Sequence, residues 1–310
     1  MKEVLSLEML SFVPVVFSLI KKAFRNLSNN DPLRMAGATA FFTSFALPFI
    51  LIILSQLLGL FYDVTIVRHQ LYGTLAGVLG NEAMQQVVNV LRAFRQLANN
   101  KLITVAGILF LFLVSTTLLM VIKSSINQLW RIKPLREESF LQNLKTRLQS
   151  VLIIVGTAFL FVLSILAEGA KAYLDHTITN VSPQFAHQFI GVLNYLLSVA
   201  FVTLWFAILF RLLPDARAPW RIAFTGAFVT SVLFNLGKYI LRVLLVNSNL
   251  NSLYGASAGA VLLLLFVFYS SLILYFGAAF TRVWADHLRV PINPRSYATH
   301  YKLQEVNETA

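Results

Sequence analysis

Residues Leu253–Thr281 read LYGASAGAVLLLLFVFYSSLILYFGAAFT, 29 residues without one charged side chain. An apolar run longer than about 18 residues reads as a transmembrane helix. Lipid offers the backbone no hydrogen-bond partner, and a helix satisfies its N–H and C=O groups internally. The rest of the chain agrees with that reading. Only 12% of its residues are charged, against about 25% in ordinary soluble domains. Mean hydropathy is +0.72. These values exclude a soluble enzyme and define an all-α integral membrane protein.

Working outward, five more stretches pass the length test, at about 35–62, 102–122, 148–167, 188–210 and 222–246. With 253–281 they predict a six-helix transmembrane domain over 35–284. The first stretch would be about 42 Å long as a helix, beyond the roughly 30 Å hydrocarbon core. It must tilt, project or kink, and Pro48 supplies a place to kink. Of the 25 Lys and Arg residues, 18 fall on the side that holds both chain ends, 5 on the other and 2 inside the fifth span. That asymmetry puts the N- and C-termini on the cytoplasmic side of the membrane. The net charge of +12 is then mostly topology, with attraction to anionic membrane lipids added.

Residues 1–34 form a cytoplasmic N-terminal segment, within which 9–27 read as an amphipathic helix at the interface. A seventh span there also fits the charge pattern. The short apolar run before Lys21, Lys22 and Arg25 favours the interface. Residues 82–98 mix Met84, Val87, Val88, Leu91 and Phe94 with Gln85, Asn89 and Arg92 at helical spacing. They predict an amphipathic helix on the outer side. Residues 285–310 form a cytoplasmic tail.

Lys238 and Arg242 are the sharpest chemical signal. Four residues apart, they project from one helical face inside an apolar span. Embedded cations are costly and face a bundle interior, a wet cavity or a partner. They suggest a site for a phosphate or carboxylate headgroup, with Asn235, Ser270 and Ser271 as polar lining. The plainer alternative is snorkelling to the outer interface. Glu168, ending the third span on the same side, is a candidate ion-pair partner or gate. The small residues Ala36, Gly37 and Ala40 in the first span, and Gly255 and Gly259 in the sixth, suit close helix packing or a homo-oligomer seam. There is no cysteine, and His69, His176, His187, His287 and His300 have no metal-ligand spacing. No metal, cofactor or nucleic-acid partner is expected. The basic loop 123–147 is explained by topology alone.

The order of several pieces resembles the bacterial YihY/BrkB family, once labelled ribonuclease BN, over about Asp31–Trp284. These pieces are Ala36–Phe42 leading to Pro48, Asn127-Gln128-Leu129-Trp130, and Leu213-Pro214 with Trp220. Tyr254-Gly255 and Gly277-Ala278 complete the series. The resemblance implies a six-helix inner-membrane protein, and the family's links to envelope lipid handling suggest transport. Two positions depart from the family pattern. Ala279 stands where an acidic residue is common, and Phe266 where Trp is common. The reading that follows is a transporter or flippase-like protein for an anionic amphiphile such as a phospholipid or lipopolysaccharide precursor. A non-transporting scaffold for envelope assembly is the alternative, and a ribonuclease ranks last.

Overall fold

The computed structural model describes residues 2–59, 72–73, 76, 80–97, 101–135, 153, 155–157, 159–160, 163–164, 183–246 and 257–302. Its elements run α1 (Lys2–Ser28), α2 (Pro32–Gly59), α3 (Asn81–Leu97), α4 (Lys101–Trp130) and β1 (Ile132–Pro134). They continue with α5 (Pro183–Leu212), β2 (Ala216–Arg217), α6 (Trp220–Val246), α7 (Ala258–His287), β3 (Asn293–Pro294) and β4 (Ala298–His300). Among the described residues, three stretches are long and apolar enough to cross a membrane: Gly191–Leu212, Trp220–Leu241 and Ala258–His287. Residues 247–252, between the fifth and sixth expected spans, lie outside the described residues, as does much of the third span. Helix α2 runs unbroken through Pro48.

The protein is mostly helical, but two small sheets qualify the all-α expectation. Strand β1 pairs antiparallel with β4, and β2 with β3. Ile132 faces His300 and Ala216 faces Pro294. Short polar connections concealed these pairings, because a strand of two or three residues has no readable period. Two connections at this strand-bearing end start from left-handed residues, Arg131 after α4 (φ 55°) and Arg289 after α7 (φ 56°).

Helix α7 is the central element. It packs against α1, α2, α3, α4 and α6. Ile126, Leu129 and Trp130 of α4 meet Phe206, Leu209 and Phe210 of α5, Ile222 and Ala223 of α6, and Tyr275 and Ala278 of α7 in one buried cluster. A second cluster joins the Ala83, Met84, Val87 and Leu91 stripe of α3 to Leu262, Leu263 and Val267 of α7. Leu19 and Ala23 of α1 lie against Phe280. Phe41, Phe45, Phe228, Leu236, Leu264 and Leu265 are exposed. On a water-soluble protein such a surface would drive aggregation, whereas lipid accepts it.

Because lipid tails are as apolar as leucine, helix association depends on close approach and packing. The α6–α7 seam shows how this works. A Cβ on Gly226 would overlap Thr281, and one on Gly277 would overlap Thr230. Each glycine therefore receives a threonine from the other helix. The two hydroxyls are satisfied locally, donating to Gly226 O and Gly277 O, both at 2.7 Å. Farther along, the hydroxyl end of Tyr269 occupies the space that a Cβ on Gly237 would take.

Gly277→Ala is expected to destabilise the protein by roughly 1–3 kcal/mol through overpacking. Thr230→Ala in the same chain should recover part of that loss. Thermal unfolding in detergent checks both, and equal midpoints for parent and Gly277→Ala would refute the seam.

Candidate functional site

The most concentrated polar chemistry lies at the strand-bearing end, around Asp215. Helix α5 closes at Leu212, and Pro214 lacks the N–H that would prolong it. The chain then turns into β2 with Asp215 held inward, only 2% exposed. Lys123, two turns before the end of α4, places Nζ 2.9 Å from Asp215 Oδ1. Asn127, one turn later on the same face, donates from Nδ2 to Asp215 Oδ2 at 2.8 Å. Its Oδ1 accepts the Asp215 backbone N–H at 2.9 Å. Tyr297 Oη donates to Asp215 Oδ1 at 2.8 Å. The Arg295 N–H donates to Asp215 O at 2.9 Å, and Arg295 Nη2 to Leu212 O at 2.9 Å.

Two carboxylate oxygens thus gather a cation and two neutral donors from α4 and the tail. Lys123 is itself 5% exposed. A buried ion pair of this kind is tolerated only when its remaining hydrogen-bonding capacity is met. Burial, reinforced by the Asp215 carboxylate, pushes the Tyr297 hydroxyl up to about 12. The phenol is therefore a fixed donor at neutral pH.

Beside this cluster is a cavity of about 570 Å³ whose lining includes Lys123, Ser124, Asn127, Gln128, Lys133 and Tyr301. Strand pairing and the Tyr301 N–H to Arg131 O bond, 3.0 Å, hold the tail at its rim. Other contacts brace the same end. Trp130 Nε1 donates to Ala278 O at 2.9 Å, and Asn26 to Leu129 O at 3.4 Å. The Arg211 guanidinium donates to Ala218 O and sits over the Trp220 ring.

The residues singled out from the sequence are distributed differently. Lys238 is half-buried on α6, about 27 Å along the helix from Trp220 at 1.5 Å per residue. Ser231 and Asn235 share its side of the helix and face α5. Ser231 Oγ donates to Val199 O at 3.0 Å, and Ser198 Oγ to Asn235 Oδ1 at 3.3 Å. Asn235 Nδ2 donates to Ser231 O at 2.9 Å, and Ser271 Oγ to Val267 O at 2.7 Å. Ser270 Oγ is buried with no hydrogen-bond partner among the described residues. Arg242 follows one turn beyond Lys238 on α6. The cavity lining does not include Lys238, Asn235, Ser270 or Ser271. Ala36, Ala40 and Gly259 are buried, whereas a Cβ on Gly37 would meet open space. Glu168 and Gly255 lie outside the described residues.

The sequence does not single out Asp215 or Lys123, because Lys123 bounds a span and Asp215 lies in a connection, where charge is ordinary. A signal was present. Asp215 follows Leu213-Pro214 and is the lone acid among Arg211, Arg217 and Arg221 in its connection.

A profile of the family described as Virulence factor BrkB matches residues 23–299. Similar proteins include a UPF0761 membrane protein of Teredinibacter turnerae, 25% identical over 280 residues, covering 88% of this chain and 61% of the relative. One from Saccharophagus degradans is 26% identical over 285 residues, covering 89% of this chain and 62% of the relative. Another, from Acinetobacter baylyi, is 26% identical over 242 residues, covering 76% and 54%. The chain thus spans little more than half to about three fifths of these relatives' length. No solved structure matches it.

Asp215→Asn should cost roughly 3–5 kcal/mol by removing the carboxylate from a buried ion pair. The paired change Lys123→Met with Asp215→Leu should cost clearly less. Equal losses in a double-mutant unfolding cycle would contradict coupling. Tyr297, protonated in the fold to about pH 12, contributes stability fully below its unfolded value near 10. That contribution should fade as pH rises from about 10 to about 12. Phenolate absorbance and unfolding of Tyr297→Phe against the parent check this window.

Proposed function

The chain belongs to the BrkB family of membrane proteins, and on that premise we propose that it moves an anionic amphiphile through a bacterial inner membrane. A phospholipid or a lipopolysaccharide precursor has the required chemistry. Six helices cross the bilayer at about 35–62, 102–122, 148–167, 188–210, 222–246 and 253–281, with the start of the chain along the interface. Positive charge gathers at the strand-bearing end, where Lys123, Arg131, Lys133, Arg211, Arg217, Arg289 and Arg295 lie on or between the described elements. By the positive-inside rule that end faces the cytoplasm.

The observation that carries the reading is Lys238 on a 22-residue apolar stretch, on the same side of α6 as Ser231 and Asn235. A cation held at that level on a polar stripe favours a negatively charged headgroup over a neutral one. The α5–α6 hydrogen bonds steady the stripe, and Ser270 offers a further polar group across the seam. Arg242 would extend the path outward, with Glu168 as its candidate gate.

A non-transporting scaffold is favoured by one feature. Asn235 and Ser271 spend hydrogen bonds on carbonyls one turn back in their own helices, and the cavity of about 570 Å³ lies at the other end.

Lys238→Ala is expected to slow transfer of fluorescent phosphatidylglycerol in proteoliposomes about tenfold, the equivalent of roughly 1.4 kcal/mol. Lys238→Arg should retain most transfer. Unchanged phosphatidylglycerol transfer by well-folded Lys238→Ala would remove the transport reading and leave the scaffold.

A further inference from the structure

We propose that the hollow beside Lys123 is a binding site for a phosphate group, either on a lipid headgroup or free in solution. The inference goes beyond the transport reading and does not depend on Lys238. Its volume, about 570 Å³, falls in the range of small-molecule sites, roughly 300–1,000 Å³. Lysines enter it from two elements, Lys123 from α4 and Lys133 from β1, against one acid, Asp215.

That acid does not repel an anion as an open carboxylate would. Lys123, Tyr297 and Asn127 occupy both its oxygens. What remains is the exposed Lys133 ammonium and the neutral donors of Ser124 and Gln128 around the space. The negative end of the α4 dipole is blunted as well, since Gln128 O and Leu129 O each accept a hydrogen bond. Lysine is a common phosphate ligand, acting as a point charge with three donors. A carboxylate so fully engaged leaves little for a cation, which favours an anionic guest. Tyr301 forms part of the wall, so the tail helps to shape the site.

The full chain in detergent is titrated calorimetrically with inorganic phosphate and, separately, with phosphatidylglycerol in mixed micelles. Diacylglycerol micelles serve as the blank. Binding of at least one phosphate probe is expected, weakened roughly tenfold by Lys133→Ala through loss of a charge-assisted contact. Ser124→Leu, which fills the hollow, should weaken it at least as much. Lys133 is exposed, so Lys133→Ala should keep the parent's thermal midpoint. Phosphatidylglycerol binding alone identifies a lipid headgroup, whereas phosphate competing with it identifies a free anion as a second source. Lys238→Ala should bind as the parent does, which separates this site from the transport reading. Failure of both probes to bind, or affinities unchanged by Lys133→Ala and Ser124→Leu, would overturn the proposal.

Discussion

A carboxylate removed from water must be compensated where it lies, and at Asp215 that requirement organises one end of the molecule. An uncompensated charge there would cost several kcal/mol. The groups that prevent this come from segments far apart in sequence: Lys123 and Asn127 on α4, and Tyr297 in the tail. Once they converge, β2 lies beside β3 and β1 beside β4. The hollow lined by Lys123, Lys133 and Tyr301 is what remains between α4 and the strands.

Within the apolar helices a different constraint operates. Lipid does not drive helices together, so contact depends on shape. The reciprocal seating of Thr281 on Gly226 and Thr230 on Gly277 lets α6 and α7 approach at two levels. Each threonine returns its proton to its own helix, so neither of these two hydroxyls is left unsatisfied at the seam. Trp130 extends the same logic to α4, giving its indole proton to Ala278 O.

Three of the pieces that carried the family resemblance have contacts among the described residues. Asn127 holds the residue after Pro214, Trp130 holds Ala278, and Gly277 receives Thr230. Their order along the chain was readable, but their mutual contacts were not. The small residues show why. Ala36 and Ala40 are one helical turn apart and share a buried side, while Gly37 is rotated by about 100° and meets open space. Composition identifies a small residue without saying what stands opposite. Likewise, Ser271 reads as a lining group until its bond to Val267 O is seen.

Local chemistry determined the membrane character, the long apolar helices and the placement of Lys238 within one of them. Each follows from the bilayer's thickness and the need to satisfy every backbone group inside it. The amphipathic stripe over residues 82–98 was legible for a similar reason, since 3.6 residues per turn put Met84, Val87 and Leu91 on one side. Tertiary structure alone decided that Asp215 pairs with Lys123, that the tail closes two small sheets, and where the hollow beside them lies. Those facts depend on which distant groups share a dry space, and electrostatic compensation across 92 residues of chain leaves no periodic trace in sequence.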